Sequence, residues 1–139
     1  MVRMQVLSVG QVQGSQEHLL ILREADGQRL LPMTIGVFEA TAIAVAAEGI
    51  QVQRPMTHDL LATVIGRMQG SLSRVVIHDL RDDTFICQLE IGTERGVIEV
   101  DCRSTDAVAL ALRVQAPIFA TEEVLSQAGV IPDRSHAEE

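Results

Sequence analysis

The sequence predicts an α+β fold in a single domain, made of two β-β-β-α-α halves whose antiparallel or mixed sheets carry helices on one face. Three observations predict it. The length of 139 residues suits one domain, and 47% hydrophobic residues with a mean hydropathy of +0.21 exclude disorder over most of it. In each half, runs that alternate every second residue precede runs with helical spacing. Finally, a shift of 67 residues lays Leu30–Ala46 over Val97–Arg113, matching strand positions such as Leu31/Ile98 and Met33/Val100, then three alanines, with Glu39 on Asp106. Self-similarity at long period points to duplication of one supersecondary unit. It places the halves at about 1–70 and 71–127, sets Glu39 and Asp106 at equivalent helix starts, and leaves 128–139 as a polar, frayed tail.

The elements follow in order. Val2–Val9 and His18–Glu24 read as strands, and Gln28–Ile35 follows the Asp26-Gly27 turn as a third. Glu39 opens an alanine-rich helix that Gly49 ends, its small side chains allowing close approach to a sheet. Thr57 reads as the cap of a second helix, with Leu60, Leu61, Val64, Ile65 and Met68 on one face and Gly70 at its end. Val75–Leu80, Thr84–Ile91 and Gly96–Cys102 form the second trio of strands, with Arg81-Asp82-Asp83 as a hairpin turn. In the middle strand Phe85, Cys87, Leu89 and Ile91 alternate with polar or outward residues, the pattern of a half-buried antiparallel strand. Ser104 reads as the cap of a third helix and Thr121 as the cap of a short fourth one.

Composition excludes several functions. The formal charge is −8, and all 11 cations are Arg, so no P-loop, Schiff-base or Ser-Lys chemistry is available. Three Phe and no Tyr or Trp argue against a reader that stacks single-stranded bases on aromatic rings, and an acidic domain is a poor non-specific duplex binder. No apolar run approaches the ~20 residues of a membrane span, and the start carries no signal-peptide core, so the cytoplasm is the expected compartment. Cys87 and Cys102 sit in apolar strand runs without C-x-x-C spacing and read as small buried hydrophobes. His18 and His136 carry no signal.

Polar residues gather at the strand-to-helix junctions: Glu39, His58, Asp59, His78, Asp79, Arg81, Asp82, Asp101, Arg103 and Asp106. Carboxylates beside one or two His suit a divalent cation and a general base, and Arg suits a phosphate. The same acids have plainer uses. Glu39, Asp59 and Asp106 fall in first helical turns, where the macrodipole favours an anion by roughly 0.3–1 kcal/mol. Asp101 ends a strand and Asp106 opens the next helix, so the turn between them is expected to bring both carboxylates near Arg103. No strict metal signature is present.

Several blocks together resemble a known family. Arg54-Pro55-Met56-Thr57-His58-Asp59-Leu60-Leu61, the hairpin His78-Asp79-Leu80-Arg81-Asp82-Asp83-Thr84-Phe85, and Asp101-Cys102-Arg103-Ser104-Thr105-Asp106-Ala107 occur in the order and register of the bifunctional nuclease domain family. Ile35-Gly36-Val37-Phe38-Glu39-Ala40 and Ala116-Pro117-Ile118-Phe119 also fit, so the resemblance covers about residues 1–127. Ser104-Thr105 departs from that family's Pro-Ser, although a hydroxyl is retained at Thr105. The resemblance implies a nuclease acting on RNA and DNA.

On the residues, a phosphodiesterase would use His58, Asp59, Asp79, Asp101 and Asp106 as catalytic groups and Arg81, Arg103 and Thr105 on the substrate. Glu39, Asp101 and Asp106 are the candidate ligands of Mg²⁺ or Mn²⁺, and no organic cofactor is expected. The alternative is a non-enzymatic, homo-oligomeric interaction or regulatory module whose acids are caps and salt bridges. A homodimer is expected in either case, because the sheet edges need covering.

Overall fold

The computed structural model describes residues 1–132. The polar stretch 133–139, with His136, lies outside the described residues. Two three-stranded meanders form the frame: β1 (Val2–Gln11), β2 (His18–Glu24) and β3 (Leu30–Ile35), then β4 (Ser71–Arg81), β5 (Thr84–Thr93) and β6 (Gly96–Arg103). The helices are α1 (Val37–Ala47), α2 (Thr57–Arg67), α3 (Ser104–Val114) and α4 (Glu122–Ala128). A short strand, β7 (Ile118–Ala120), joins the meanders into one sheet of order β3-β2-β1-β7-β4-β5-β6. It runs antiparallel to β1 and parallel to β4, so the sheet is mixed. The fold is α+β in one domain.

Alternation explains the core. Leu20 and Leu22 of β2, Leu31 and Met33 of β3, Val75 and Ile77 of β4, and Cys87 and Leu89 of β5 are all buried. Small side chains on α1 (Ala42) and α3 (Ala107, Ala109, Ala111) let these helices lie close to one another and over the strands of both meanders. Burying each large aliphatic side chain contributes about 1.5–3 kcal/mol. Leu30 and Val130 exchange both backbone hydrogen bonds, so the described chain is tied down beyond α4.

The structure departs from the sequence reading at four points. The second half carries β7 between its helices, so strand-strand-strand-helix-helix describes the first half and not the second. Glu39 and Asp106 do each occupy the third residue of their helix. Thr57 is the first residue of α2 and not its cap. Met56 is the cap, and its N–H donates to the Asp59 carboxylate at 2.8 Å, which satisfies an end donor the threonine leaves alone. Ser104 likewise lies inside α3, buried beside Thr105, with Arg103 as the cap residue. Finally, the apolar face read on α2 is divided. Ala62 and Ile65 pack on the core, whereas Leu60, Leu61, Val64 and Met68 are exposed, because among the described residues α2 packs chiefly against α3 and touches β4 lightly. Thr121 does cap α4, accepting from Val124 N–H at 3.3 Å.

Candidate functional site

The sheet brings the C-terminal end of β3, the β4–β5 hairpin and the start of α3 to one side of the molecule. They enclose a cleft of about 600 Å³. Gly36 and Glu39 at the start of α1 line one wall, Leu80, Asp83 and Phe85 of the hairpin another, and Arg103, Ser104 and Thr105 a third. Two helix N-termini, those of α1 and α3, therefore border the cleft, and the positive end of a helix dipole favours an anion.

Glu39 lies back over its own cap. A Cβ on Gly36 would collide with the Glu39 carboxylate, so glycine is what lets the acid occupy that position. Arg103 is largely exposed and bridges the two acids. Its Nε donates to Asp106 Oδ2 at 3.0 Å, and its Nη1 stands 3.8 Å from Glu39 Oε1. The first contact is a hydrogen bond, and the second is a longer electrostatic approach that leaves the Nη groups room for another acceptor.

Asp106 is the centre of the cluster. Besides Arg103 it meets His58 Nε2 at 2.9 Å through Oδ1. Burial works to raise the Asp106 pKa, but Arg103 and His58 outweigh it and hold the carboxyl below the usual range. An ionised carboxylate only accepts, so His58 Nε2 carries the proton that lies between them. His58 Nδ1 is then left buried with no hydrogen-bond partner among the described residues. Such an atom is costly unless a ligand or a movement satisfies it. Glu39, Arg103, Asp106 and His58 thus form a chain from the cleft wall to the underside of α2.

The other candidates lie elsewhere. Asp59 accepts from Arg113 Nε at 2.8 Å, toward the other end of α3. Asp79 accepts from the Leu80 N–H and from Arg81 Nε, and these two bonds hold its carboxyl below the usual range. Asp101 pairs in register with Gln88, is exposed, and has no ion-pair partner among the described residues. The expected meeting of Asp101 with Asp106 is replaced by that of His58 with Asp106. Cys102 turns inward to the core, so alternation turns Asp101 away from it.

Among the described residues no three His, Cys, Asp or Glu side chains are grouped to hold a metal, and Glu39 and Asp106 both lean on a guanidinium. Two residues escaped the sequence reading. Asp83 lines the cleft from a turn in which Asp82 and Asp83 have φ of 50° and 63°, and the signal available was the acidic pair itself. Arg113 holds Asp59 from a buried position, and the signal was a lone cation inside the apolar run Leu110–Val114.

Fold and cleft together define an α+β domain with a cleft, lined by Glu39, Asp83 and Arg103 among others, between two helix starts. The chain belongs to the bifunctional nuclease domain family, which it matches over residues 20–133. It is similar to an uncharacterized protein of Mycobacterium tuberculosis, 43% identical over 134 residues that make up 96% of this chain and 80% of that one. More distantly it is similar to Bifunctional nuclease 1 of Oryza sativa subsp. indica, 25% identical over 117 residues, 81% of this chain and 35% of that protein. Bifunctional nuclease 2 of Oryza sativa subsp. japonica is 24% identical over 103 residues, 71% of this chain and 32% of that protein. Among the described residues no helix is long and apolar enough to cross a membrane.

Proposed function

We propose that this chain is a nuclease that hydrolyses phosphodiester bonds of RNA and DNA in the cleft between α1, α3 and the β4–β5 hairpin. The observation that carries the reading is the polar chain that begins at Glu39 and Arg103 on the cleft wall and continues behind it through Asp106 to His58, in a chain of the bifunctional nuclease domain family. Arg103, fixed through Nε by Asp106, offers its Nη groups to a phosphate oxygen, and the α3 N-terminus and Thr105 stand beside it. Glu39 is the carboxylate placed to take a proton from the attacking water. His58 positions Asp106 and so Arg103. Asp59, Asp79, Asp101 and Arg81 lie outside the cleft lining and receive no step. Mg²⁺ or Mn²⁺ assistance would require Glu39 and Asp106 to exchange Arg103 for the ion.

The test is incubation of the purified chain with end-labelled single-stranded RNA and DNA, in Mg²⁺, in Mn²⁺ and in EDTA. Shortening of both polymers is expected. Intact polymers in all three conditions would overturn the nuclease in favour of the interaction module. That second reading is favoured by one observation, the apolar side chains of Leu60 and Val64 on α2 and of Met68 just after it, left exposed. Within either reading we place the chain in the cytoplasm as a homodimer of duplicated halves. A monomer mass in solution across micromolar concentrations would remove the dimer.

A further inference from the structure

Cys87 of β5 and Cys102 of β6 are direct register partners in an antiparallel pair. Residues so placed point to the same face with Cα atoms ~4.5–5.5 Å apart, inside the ~4.4–6.8 Å that a disulfide spans. Both side chains do face the core. Cys87 is fully buried within it, and Cys102 packs against it half-buried, so Cys102 is the one that a small solute reaches. Neither thiol takes part in the cleft chemistry. We propose that Cys87 and Cys102 are a reversible oxidation site, closing to a cross-strand disulfide when the chain meets a peroxide.

The chemistry balances in two steps. The Cys102 thiolate attacks one peroxide oxygen and the O–O bond breaks, leaving Cys102 as a sulfenic acid and releasing hydroxide, which takes up a proton as water. The Cys87 thiolate then attacks Cys102 sulfur. The S–S bond forms, the S–O bond breaks, and a second water leaves. Two thiols lose two electrons in all, and the peroxide gains them. A dithiol reverses the change.

Position gives the bond its consequence. Cys102 is the residue before Arg103, and its partner strand carries Phe85 at the cleft wall. A covalent rung at 87–102 fixes the end of β6 against β5 at the point from which Arg103 reaches Asp106. The bond forms whether or not the cleft cleaves nucleic acid. The environment makes it slow: burial, with Asp106 and Asp101 nearby, pushes the Cys102 thiol up to about 11, and burial raises Cys87 further.

The native chain exposed to hydrogen peroxide, then unfolded, alkylated and digested, tests this. A peptide linking Cys87 to Cys102 is expected, with both alkylatable thiols lost together and both restored by dithiothreitol. The rate should rise about tenfold per pH unit around neutrality, following the thiolate fraction. In Cys102→Ala, Cys87 should stay reduced and alkylatable. Full alkylation of both thiols after treatment would overturn the proposal. So would Cys102 carried to sulfinic acid beside an intact Cys87 thiol, or oxidation of Cys87 at an unchanged rate in Cys102→Ala.

Discussion

Arg103→Ala is expected to lower cleavage of RNA and DNA by about 10²–10³-fold, the usual effect of removing one donor that meets developing negative charge. The expectation rests on what Arg103 touches. Its side chain is 66% exposed and is held from behind by Asp106, so it presents a fixed guanidinium to the cleft. Stability should change little, by about 0–1 kcal/mol, because exposed ion pairs contribute little. Arg103→Lys should recover only part of the loss, since an ammonium keeps the charge but cannot hold Asp106 and a phosphate through one rigid fork. Asp106→Asn should fall between them: the amide can still accept from Arg103 Nε, yet the charge that orders both Arg103 and His58 is gone. The measurement is initial rates on labelled RNA and DNA, with far-ultraviolet circular dichroism to confirm the fold. Wild-type rates in Arg103→Ala would show that the cleft is not where phosphate is held.

Much of this arrangement is legible in the chain itself, and the reason is periodicity. The alternation Phe85, Cys87, Leu89, Ile91 specifies β5 and its inward face, because one buried side of a pleat admits a single register. Turn chemistry fixes the hairpin at Asp82-Asp83, where short polar side chains tolerate positive φ. Strand β7 is illegible for the converse reason. Three residues cannot display a period, and Ile118–Ala120 gain their partners only when β1 and β4 are already in place. The candidate site divides in the same way. Residue types at the junctions put Glu39, His58, Arg103 and Asp106 among ten polar candidates without ranking them above the rest. Which acid meets which base is set by the approach of α2 to α3, a contact across 48 residues of sequence for His58 and Asp106. Local spacing therefore favours Asp101 as the neighbour of Asp106, and tertiary packing supplies His58.

Asp59→Ala is expected to cost about 2–3 kcal/mol of stability, a large loss for a single polar side chain. Asp59 does two jobs at once. One oxygen accepts from Met56 N–H at 2.8 Å and closes the first turn of α2, and the other accepts from Arg113 Nε at 2.8 Å. The Arg113 side chain is only 6% exposed, and its remaining donors reach Ala109 O and Met56 sulfur. Removing the carboxylate leaves a nearly dry guanidinium with no anion, which typically costs about 3–5 kcal/mol. The Asp59 side is a third exposed, and water there offsets part of the loss, hence the lower figure. Asp59→Asn keeps one acceptor oxygen and turns its NH₂ toward the other donor, so it should recover only part of the loss. Acidity tests the same pair. Burial works to raise the Asp59 pKa, but Met56 N–H and Arg113 outweigh it and hold the carboxyl below its ordinary value. A depressed folded pKa means that its stabilisation is complete above the unfolded value, near 4, and is lost as pH falls through the folded one. The native chain should therefore lose stability more steeply than Asp59→Asn on acidification below about pH 4. Denaturant midpoints at neutral and acid pH measure both effects. Equal slopes, or a loss under about 1 kcal/mol in Asp59→Ala, would mean that water reaches Arg113 once the acid is gone. Because His58 is the residue next to Asp59 on α2, the same anchor holds the imidazole against Asp106, and the stability of this pair sets how firmly the underside of the cleft is built.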